Sequence, residues 1–173
     1  SHLGSGAMGV VWRAQDPVLG RTVAIKTISA ALGSDSENKE RFLREARVIS
    51  SLNHPHICTL YDIGEHVVEA RRAQFMVMEL LDGQALKDRV AQGPLPLEEV
   101  LELGAQMADA LDAAHAQGVV HRDIKPANVM LSSGHALVTD FGVAKAVTES
   151  TGGMPLPSLG MALGTPAYMA PEQ

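Results

Sequence analysis

Aromatic side chains are almost missing from this chain: three Phe, two Tyr and one Trp make up 3% of 173 residues. Aliphatic side chains must therefore fill the core. There is a single cysteine, Cys58, which rules out an intrachain disulfide and fits a reducing compartment. Basic residues are in deficit, 14 Lys and Arg against 20 Asp and Glu, for a formal net charge of −6. That balance argues against bulk nucleic-acid binding, which needs a basic footprint. No apolar run approaches the roughly 20 residues of a membrane-spanning helix. Ser1-His2-Leu3-Gly4 does not read as a signal peptide. Internal repeats and low-complexity tracts are absent. What remains, 46% hydrophobic and 20% charged, is ordinary for one globular domain. A cytoplasmic setting is expected, with a membrane anchor in a longer parent protein left open.

The chain divides into two parts. Val10-Val11-Trp12 and Thr22-Val23-Ala24-Ile25 are short β-branched runs that read as strands, with Gly20-Arg21 as the turn between them. Residues 34–52 read as a helix opened by Ser34-Asp35-Ser36. Runs 57–63 and 75–80 read as two more strands. Leu80-Leu81-Asp82-Gly83 is a natural hinge, dividing 1–81 from 82–173. Beyond it, residues 98–115 place Val100, Leu103, Met107, Leu111 and Ala114 at helical spacing, and Glu98 and Glu99 suit the positive end of the helix dipole. From 148 to 165 the chain is rich in Gly, Pro, Ser and Met, the composition of a mobile loop.

Four strings carry chemistry. Gly4-Ser5-Gly6-Ala7-Met8-Gly9-Val10-Val11 is a glycine-rich turn; a dinucleotide-binding loop would open a helix, whereas here a strand follows. A hairpin with bare backbone can lie over phosphates. Lys26 ends the second strand. Glu45 falls on the apolar stripe formed by Phe42, Ala46 and Ile49, where a carboxylate needs a cation, and Lys26 is the candidate. The alternative is a Glu at the stripe's edge reaching water. His121-Arg122-Asp123-Ile124-Lys125-Pro126-Ala127-Asn128 and Asp140-Phe141-Gly142 then set two carboxylates, a lysine and an amide at fixed offsets. That set can align a hydroxyl with a phosphoryl donor while metal ions hold the donor's charge.

Taken in order, these strings resemble eukaryotic-type serine/threonine protein kinases, most closely the bacterial branch. The resemblance runs from the glycine-rich loop to Gly164-Thr165-Pro166-Ala167-Tyr168-Met169-Ala170-Pro171-Glu172. It implies an α+β, bilobal, protein-kinase-like fold. The N-lobe (1–81) would be an antiparallel sheet with one helix, and 82–173 a truncated, mostly helical C-lobe. It also implies a Mg²⁺-dependent transfer of the ATP γ-phosphoryl group to Ser or Thr hydroxyls of proteins.

By resemblance, Gly4, Ser5, Gly6 and Gly9 would cover the phosphates of ATP, and Lys26, oriented by Glu45, would hold two of them. Val11, Ala24 and Met130 would sandwich the adenine. Met78 would be the gatekeeper, and Glu79 to Leu81 would offer backbone to the adenine edge. Asp123 would be the base, Lys125 a charge neutraliser, and Asn128 and Asp140 the Mg²⁺ ligands. Ile49, Leu60, His121 and Phe141 would stack as a spine between the lobes. Lys125 and Thr165 match the Ser/Thr type. Ser158, Thr151 and Thr148 are the candidate autophosphorylation sites, their phosphate pairing with Arg122.

The family's later helices, and the arginine that pairs with Glu172, are expected to lie outside these 173 residues. The chain alone is then expected to be marginally stable and catalytically silent, with 1–81 surviving best. A kinase-like nucleotide-binding or scaffold module without turnover is the alternative for the chain by itself.

Overall fold

The computed structural model describes residues 1–6, 9–28, 44, 46–68, 71–141 and 165–169. Strands β1 (His2–Gly6), β2 (Gly9–Asp16), β3 (Arg21–Ile28), β4 (Leu60–Val68) and β5 (Arg71–Glu79) form one antiparallel sheet in the order β1-β2-β3-β5-β4. The glycine string is a hairpin, with Gly6 opposite Gly9 and Gly4 opposite Val11. The β2–β3 turn lies earlier than expected, over residues 17–20, and Arg21 already belongs to β3. Asp16 builds it: Oδ1 accepts from the Val18 and Leu19 N–H groups at 3.0 and 3.1 Å. Gly20 closes the turn at φ +67°. An aspartate folding onto the backbone just ahead of it is the usual chemistry of such a turn.

Residues 44 and 46–50 are helical (α1) and belong to the helix expected over 34–52; residues 29–43 and 45 lie outside the described residues. The helix stops at Ser50, short of the expected Leu52. The Ser51 and Leu52 N–H groups still bond the Val48 and Ile49 carbonyls at 3.2 and 3.0 Å, a tightened last turn. The run expected as a strand over 57–63 pairs with β5 only from Leu60 on. Ile57 and Cys58 are drawn elsewhere: Ile57 bridges Val138, and the Cys58 N–H donates to the Val138 carbonyl at 2.9 Å.

Beyond residues 80–83 come β6 (Gln84–Ala85), α2 (Leu86–Ala91), α3 (Leu97–Ala116), a 3₁₀ turn Pro126–Asn128, β7 (Val129–Ser132) and β8 (His135–Val138). Strands β6-β7-β8 form a small antiparallel sheet that the hydrophobic pattern did not announce. Helix α3 matches the expected span within a residue at each end. Its stripe is buried at Leu103, Ala110 and Ala114 and half-buried at Met107 and Leu111. Val100 departs from expectation: it is 47% exposed, because the buried face begins only at Leu103.

Leu52, Ile57, Ala110, Ala114, Val119, Val138 and Phe141 make one core cluster, with Ile49 and Ile124 packed against it. Phe141 is its one aromatic ring. The cluster joins α1, the 52–57 connection, α3 and the end of β8, so it sits directly beneath the loops that follow α3 and β8.

Two glycines test this description in opposite directions. Gly83 has φ +159°, and a Cβ there would lie 1.9 Å from the Leu131 carbonyl oxygen, where β6 draws the two backbones together. Gly104, within α3, has nothing within 4 Å of its Cβ position. Gly83→Ala should lower the unfolding free energy by ~1–3 kcal/mol. Gly104→Ala should raise it by about 1 kcal/mol through helix propensity. Urea midpoints read both, and a Gly83→Ala protein as stable as the parent would contradict the close approach.

Candidate active site

The site begins where α3 ends. The Gly118 and Val119 N–H groups return to the His115 and Ala114 carbonyls at 2.9 Å, and Gly118 takes φ +75°, a glycine helix stop. Val119 is thereby pinned into the core. Residues 121, 122 and 123 then alternate buried, exposed, buried. Arg122 makes this possible at φ +69°, a left-handed conformation that costs a non-glycine residue about 1–3 kcal/mol.

His121 is 2% exposed and its ring lies 4.7 Å from that of Phe141, centroid to centroid. Its Nε2 is 2.8 Å from the Thr139 carbonyl oxygen, which can only accept, so Nε2 carries the proton. Nδ1 accepts the Asp123 N–H at 3.3 Å. Burial pushes the imidazole below its ordinary range, against the opposing pull of the Thr139 carbonyl and of Asp140 and Asp123. It is therefore neutral at physiological pH.

Asp123 is 7% exposed. Its Oδ2 meets Lys125 Nζ at 2.7 Å and Asn128 Nδ2 at 3.2 Å, and its Oδ1 accepts from the Thr165 hydroxyl at 2.9 Å. Burial alone would raise this carboxyl. The bonds from Lys125 and Thr165, the Lys125 charge and the Asn128 amide overcome that and hold it below the usual carboxylate range. Lys125 Nζ also donates to Thr165 Oγ1 at 2.8 Å, closing a triangle of carboxylate, ammonium and hydroxyl.

Asn128 ends the 3₁₀ turn and is buried. Its amide nitrogen also bonds the Asp123 carbonyl at 2.8 Å, and its own carbonyl accepts the Thr139 N–H at 2.9 Å. Asp140 follows at φ +62°, with Oδ2 2.7 Å from Lys26 Nζ. Lys26 is 7% exposed in the middle of β3, opposite Val11 on one side and Met76 on the other. The lysine expected to pair with Glu45 thus has Asp140 as its described partner; Glu45 lies outside the described residues, as do Gly142, Thr148, Thr151, Ser158 and Glu172.

The residues expected around an adenine ring are divided between the two sheets. Ala24 is buried and faces Met78 across the β3–β5 ladder. Met130 lies in β7, opposite Ala85 and Leu137. Glu79 donates its N–H to the Thr59 carbonyl at 2.9 Å, and its own carbonyl takes the Cys58 thiol at 3.8 Å. Leu81 falls beyond both ladders, so strand pairing does not consume its backbone. Of the expected spine, Ile49 packs on the cluster that holds Phe141, His121 packs against Phe141 with the rings tilted at 57°, and Leu60 is buried in β4.

Among the described residues, no three His, Cys, Asp or Glu side chains gather as a metal-binding group. The donor chemistry nonetheless fits a hard cation. The Asn128 amide nitrogen is committed to Asp123, which leaves its oxygen. Asp140 Oδ2 faces Lys26, which leaves Oδ1. Two oxygen donors with water completing the shell suit Mg²⁺, which binds through few protein ligands.

Two features were not foreseen. The Thr165 hydroxyl joins Asp123 from 42 residues away, and the Cys58 thiol reaches the Glu79 carbonyl. Cys58 is no nucleophile: burial first, then Glu79 and Asp140, push its pKa up to about 12.

The chain matches the protein kinase domain over residues 1–173. It is 42% identical to the serine/threonine-protein kinase PknA of Mycobacterium tuberculosis over 99% of its own length and 39% of that protein. It is 43% identical to a probable serine/threonine-protein kinase of Streptomyces coelicolor, over 99% of its length and 25% of that protein. The chain thus spans well under half of these relatives. The crystal structure of the M. tuberculosis PknI kinase domain resembles it with a TM-score of 0.71 at 37% identity, covering 82% of this chain and 56% of that one.

His121 gives the fold an acid limit. Its pKa is lowered on folding, so the unfolded chain binds the extra proton. The stability it contributes is complete above the unfolded value of about 6.5 and is lost as pH falls through the folded value. The urea midpoint should fall between pH 7.5 and 5.5, and His121→Asn should lose less over that interval. A wild-type midpoint that rose on acidification would be incompatible with a neutral His121.

Proposed function

The chain belongs to the protein kinase family, and we propose that the protein containing it transfers the γ-phosphoryl group of ATP to serine or threonine hydroxyls of other proteins. One observation supports this above the rest: a threonine hydroxyl donates to Asp123 Oδ1 at 2.9 Å while accepting from Lys125 Nζ at 2.8 Å. An acceptor hydroxyl needs the same two contacts. In this reading Asp123 orients the hydroxyl and receives its proton. A carboxylate held below its usual range is a weak base in the ground state, so it takes the proton late, once bond formation has made the hydroxyl acidic. Lys125 offsets charge that builds on the transferred group.

Lys26 would hold the nucleotide's phosphates, with Glu45 as its orienting partner, and the hairpin of Gly4, Ser5, Gly6 and Gly9 would lie over them. Val11, Ala24 and Met130 would enclose the adenine, Met78 would limit the depth of its slot, and the backbone from Glu79 to Leu81 would meet its edge. Asn128 and Asp140 would hold Mg²⁺, which when bound neutralises charge on the phosphate oxygens. Residues 1–81 and 82–173 would act as the two lobes. Thr148, Thr151 and Ser158 are proposed as autophosphorylation sites, with Arg122 as the phosphate's partner. No described helix is long and apolar enough to cross a membrane. We place the transfer in the cytoplasm, where ATP is held.

In the full-length protein, Asp123→Asn should lower turnover by about 10²–10⁴-fold, the usual worth of a positioned acid–base group, and Lys26→Met by about 10²–10³-fold, the usual worth of one preorganised electrostatic contact. Thr165→Ser should keep most activity. Incorporation of labelled γ-phosphate into a protein substrate measures both. Near-normal turnover in Lys26→Met would refute the assignment. Absence of phosphate on residues 148–158 in active protein, read by mass spectrometry, would remove Thr148, Thr151 and Ser158 as autophosphorylation sites.

A further inference from the structure

A side chain fastens the glycine hairpin to the rest of its sheet. Thr27 Oγ1 donates to the Val10 carbonyl at 3.1 Å and accepts the Val10 N–H at 3.4 Å. One hydroxyl thus engages both polar backbone groups of one residue. Among the described residues, no other side chain of β3 bonds to the backbone of β2. No step of the proposed reaction uses this contact.

Val10 holds a particular place in the chain. Gly9 before it has φ +138°, in the region that favours glycine. Val10 is therefore the first residue of β2 with a side chain. It stands opposite Ser5 in β1 and opposite Thr27 in β3. Glycine has more backbone freedom to lose than any other residue, so a hairpin built on three of them is costly to order. Whatever fixes Val10 fixes where that flexible segment ends.

Thr27 is well placed to do so. It follows Lys26 in β3, and successive side chains of a strand point to opposite faces. Lys26 is buried and reaches Asp140. The Thr27 side chain therefore lies on the other face of the sheet and touches Val10 from behind the proposed phosphate site. Across the β3–β5 ladder Thr27 stands opposite Phe75, whose ring lies against Gly64. The pair next to Val10 and Thr27 is Val11 with Lys26. Two consecutive residues of β3 thus carry the lysine and the hydroxyl that holds the base of the hairpin.

We infer that Thr27 is a positioning residue for the phosphate lid: its hydroxyl holds Val10 in register with Lys26, so that the hairpin of Gly4, Ser5, Gly6 and Gly9 is ordered over the ATP phosphates before ATP arrives. The inference rests on the proposed function, which puts the phosphates beneath this hairpin. Without the hydroxyl the free hairpin is looser, bound ATP must supply the ordering, and affinity falls. The loss is confined to ligands that carry phosphates, because Ala24, Met78 and Met130, proposed to enclose the adenine, lie outside this contact.

Valine matches threonine in shape and suits a strand, so Thr27→Val removes the hydroxyl and little else. In the full-length protein, calorimetry should show its Kd for a nonhydrolysable ATP analogue with Mg²⁺ raised about threefold to tenfold, the usual worth of a hydrogen bond. Its Kd for adenosine should not change. Thr27→Ser restores the hydroxyl and should bind both ligands as the wild type does. KM for ATP should follow the analogue's Kd while kcat holds, the pattern of lost uniform binding. Equal weakening of both ligands would mean a structural role alone and overturn the inference. So would unchanged analogue binding in Thr27→Val, or a Thr27→Ser as weak as Thr27→Val. Residue-resolved hydrogen exchange of the ligand-free wild type covers a Thr27→Val that fails to fold. The Val10 amide should be protected there, and exchange at the rate of an unpaired amide would overturn the inference. The expected binding pattern in a protein without phosphoryl transfer would remove the kinase reading and leave the role of Thr27 standing. A wild type that binds neither ligand would remove both.

Discussion

His121 carries one proton, and the position of that proton decides the shape of the site. On Nε2 it ties the segment after α3 to the Thr139 carbonyl, and the bare Nδ1 receives the Asp123 N–H. One neutral ring therefore binds the loop that bears the carboxylate to the loop that bears Asp140. The second tie between those loops, Asn128 carbonyl to Thr139 N–H, runs parallel to it. A charged imidazole would keep both of those ties but lose the bond from the Asp123 N–H, since a protonated Nδ1 cannot accept. Burial keeps the ring neutral, and the aliphatic cluster around Phe141 supplies the burial. The catalytic geometry thus depends on hydrophobic packing through a single titratable group.

The charges of the site follow from the same economy of space. Asp123 and Lys26 are each 7% exposed, and an isolated charge at that depth would neutralise itself. Each has an opposite charge at 2.7 Å, and for Asp123 the bonds from Lys125 and Thr165 outweigh burial and keep the carboxylate ionised. Such pairs are weak evidence for stability, because desolvation offsets much of the attraction. They are better understood as preorganised dipoles, aimed before any substrate arrives. The left-handed Arg122 and Asp140 fit that reading. Strain at two non-glycine residues persists only where the surroundings over-determine the backbone, and these two flank the bonds to His121 and Lys26.

Much of this was legible in the sequence, and the reasons differ by element. Helix α3 was visible because a 20-residue amphipathic segment repeats its signal several times, and a single exposed Val100 does not blur it. Strands β2 and β3 were visible as β-branched runs. Strands β6 to β8 were not, since two to four residues are too few for a period to show. The start of β4 was misplaced because Ile57 and Cys58 are as apolar as a strand but spend their backbone on Val138. The site strings were legible because their offsets are local. The Thr165 contact was hidden for the opposite reason: nothing in the residues around Thr165 or Asp123 specifies that 42 positions of chain will close a bond between them. Thr165 stood out only through the resemblance.

Among the described residues the two halves share the cluster around Phe141 and are joined in two further ways, whose difference bears on how the site can work. One connection is covalent, residues 80–83, where Gly83 leaves room for the Leu131 carbonyl. The other is a set of hydrogen bonds running from Ser51 Oγ on Gln117, through His54 on Asp109, to His56 and Cys58 on Val138. A linker without strand pairing can bend, but the hydrogen-bonded seam limits where the bend can go. Lys26 is carried by the sheet and Asp140 follows the strand that the seam grips, so their 2.7 Å contact also spans the two halves. Val138 is the fixed point of that seam: its side chain is fully buried and its N–H and C=O are both engaged. The same strand leads into Thr139, whose carbonyl holds His121, so the seam and the loop bearing Asp123 share one anchor.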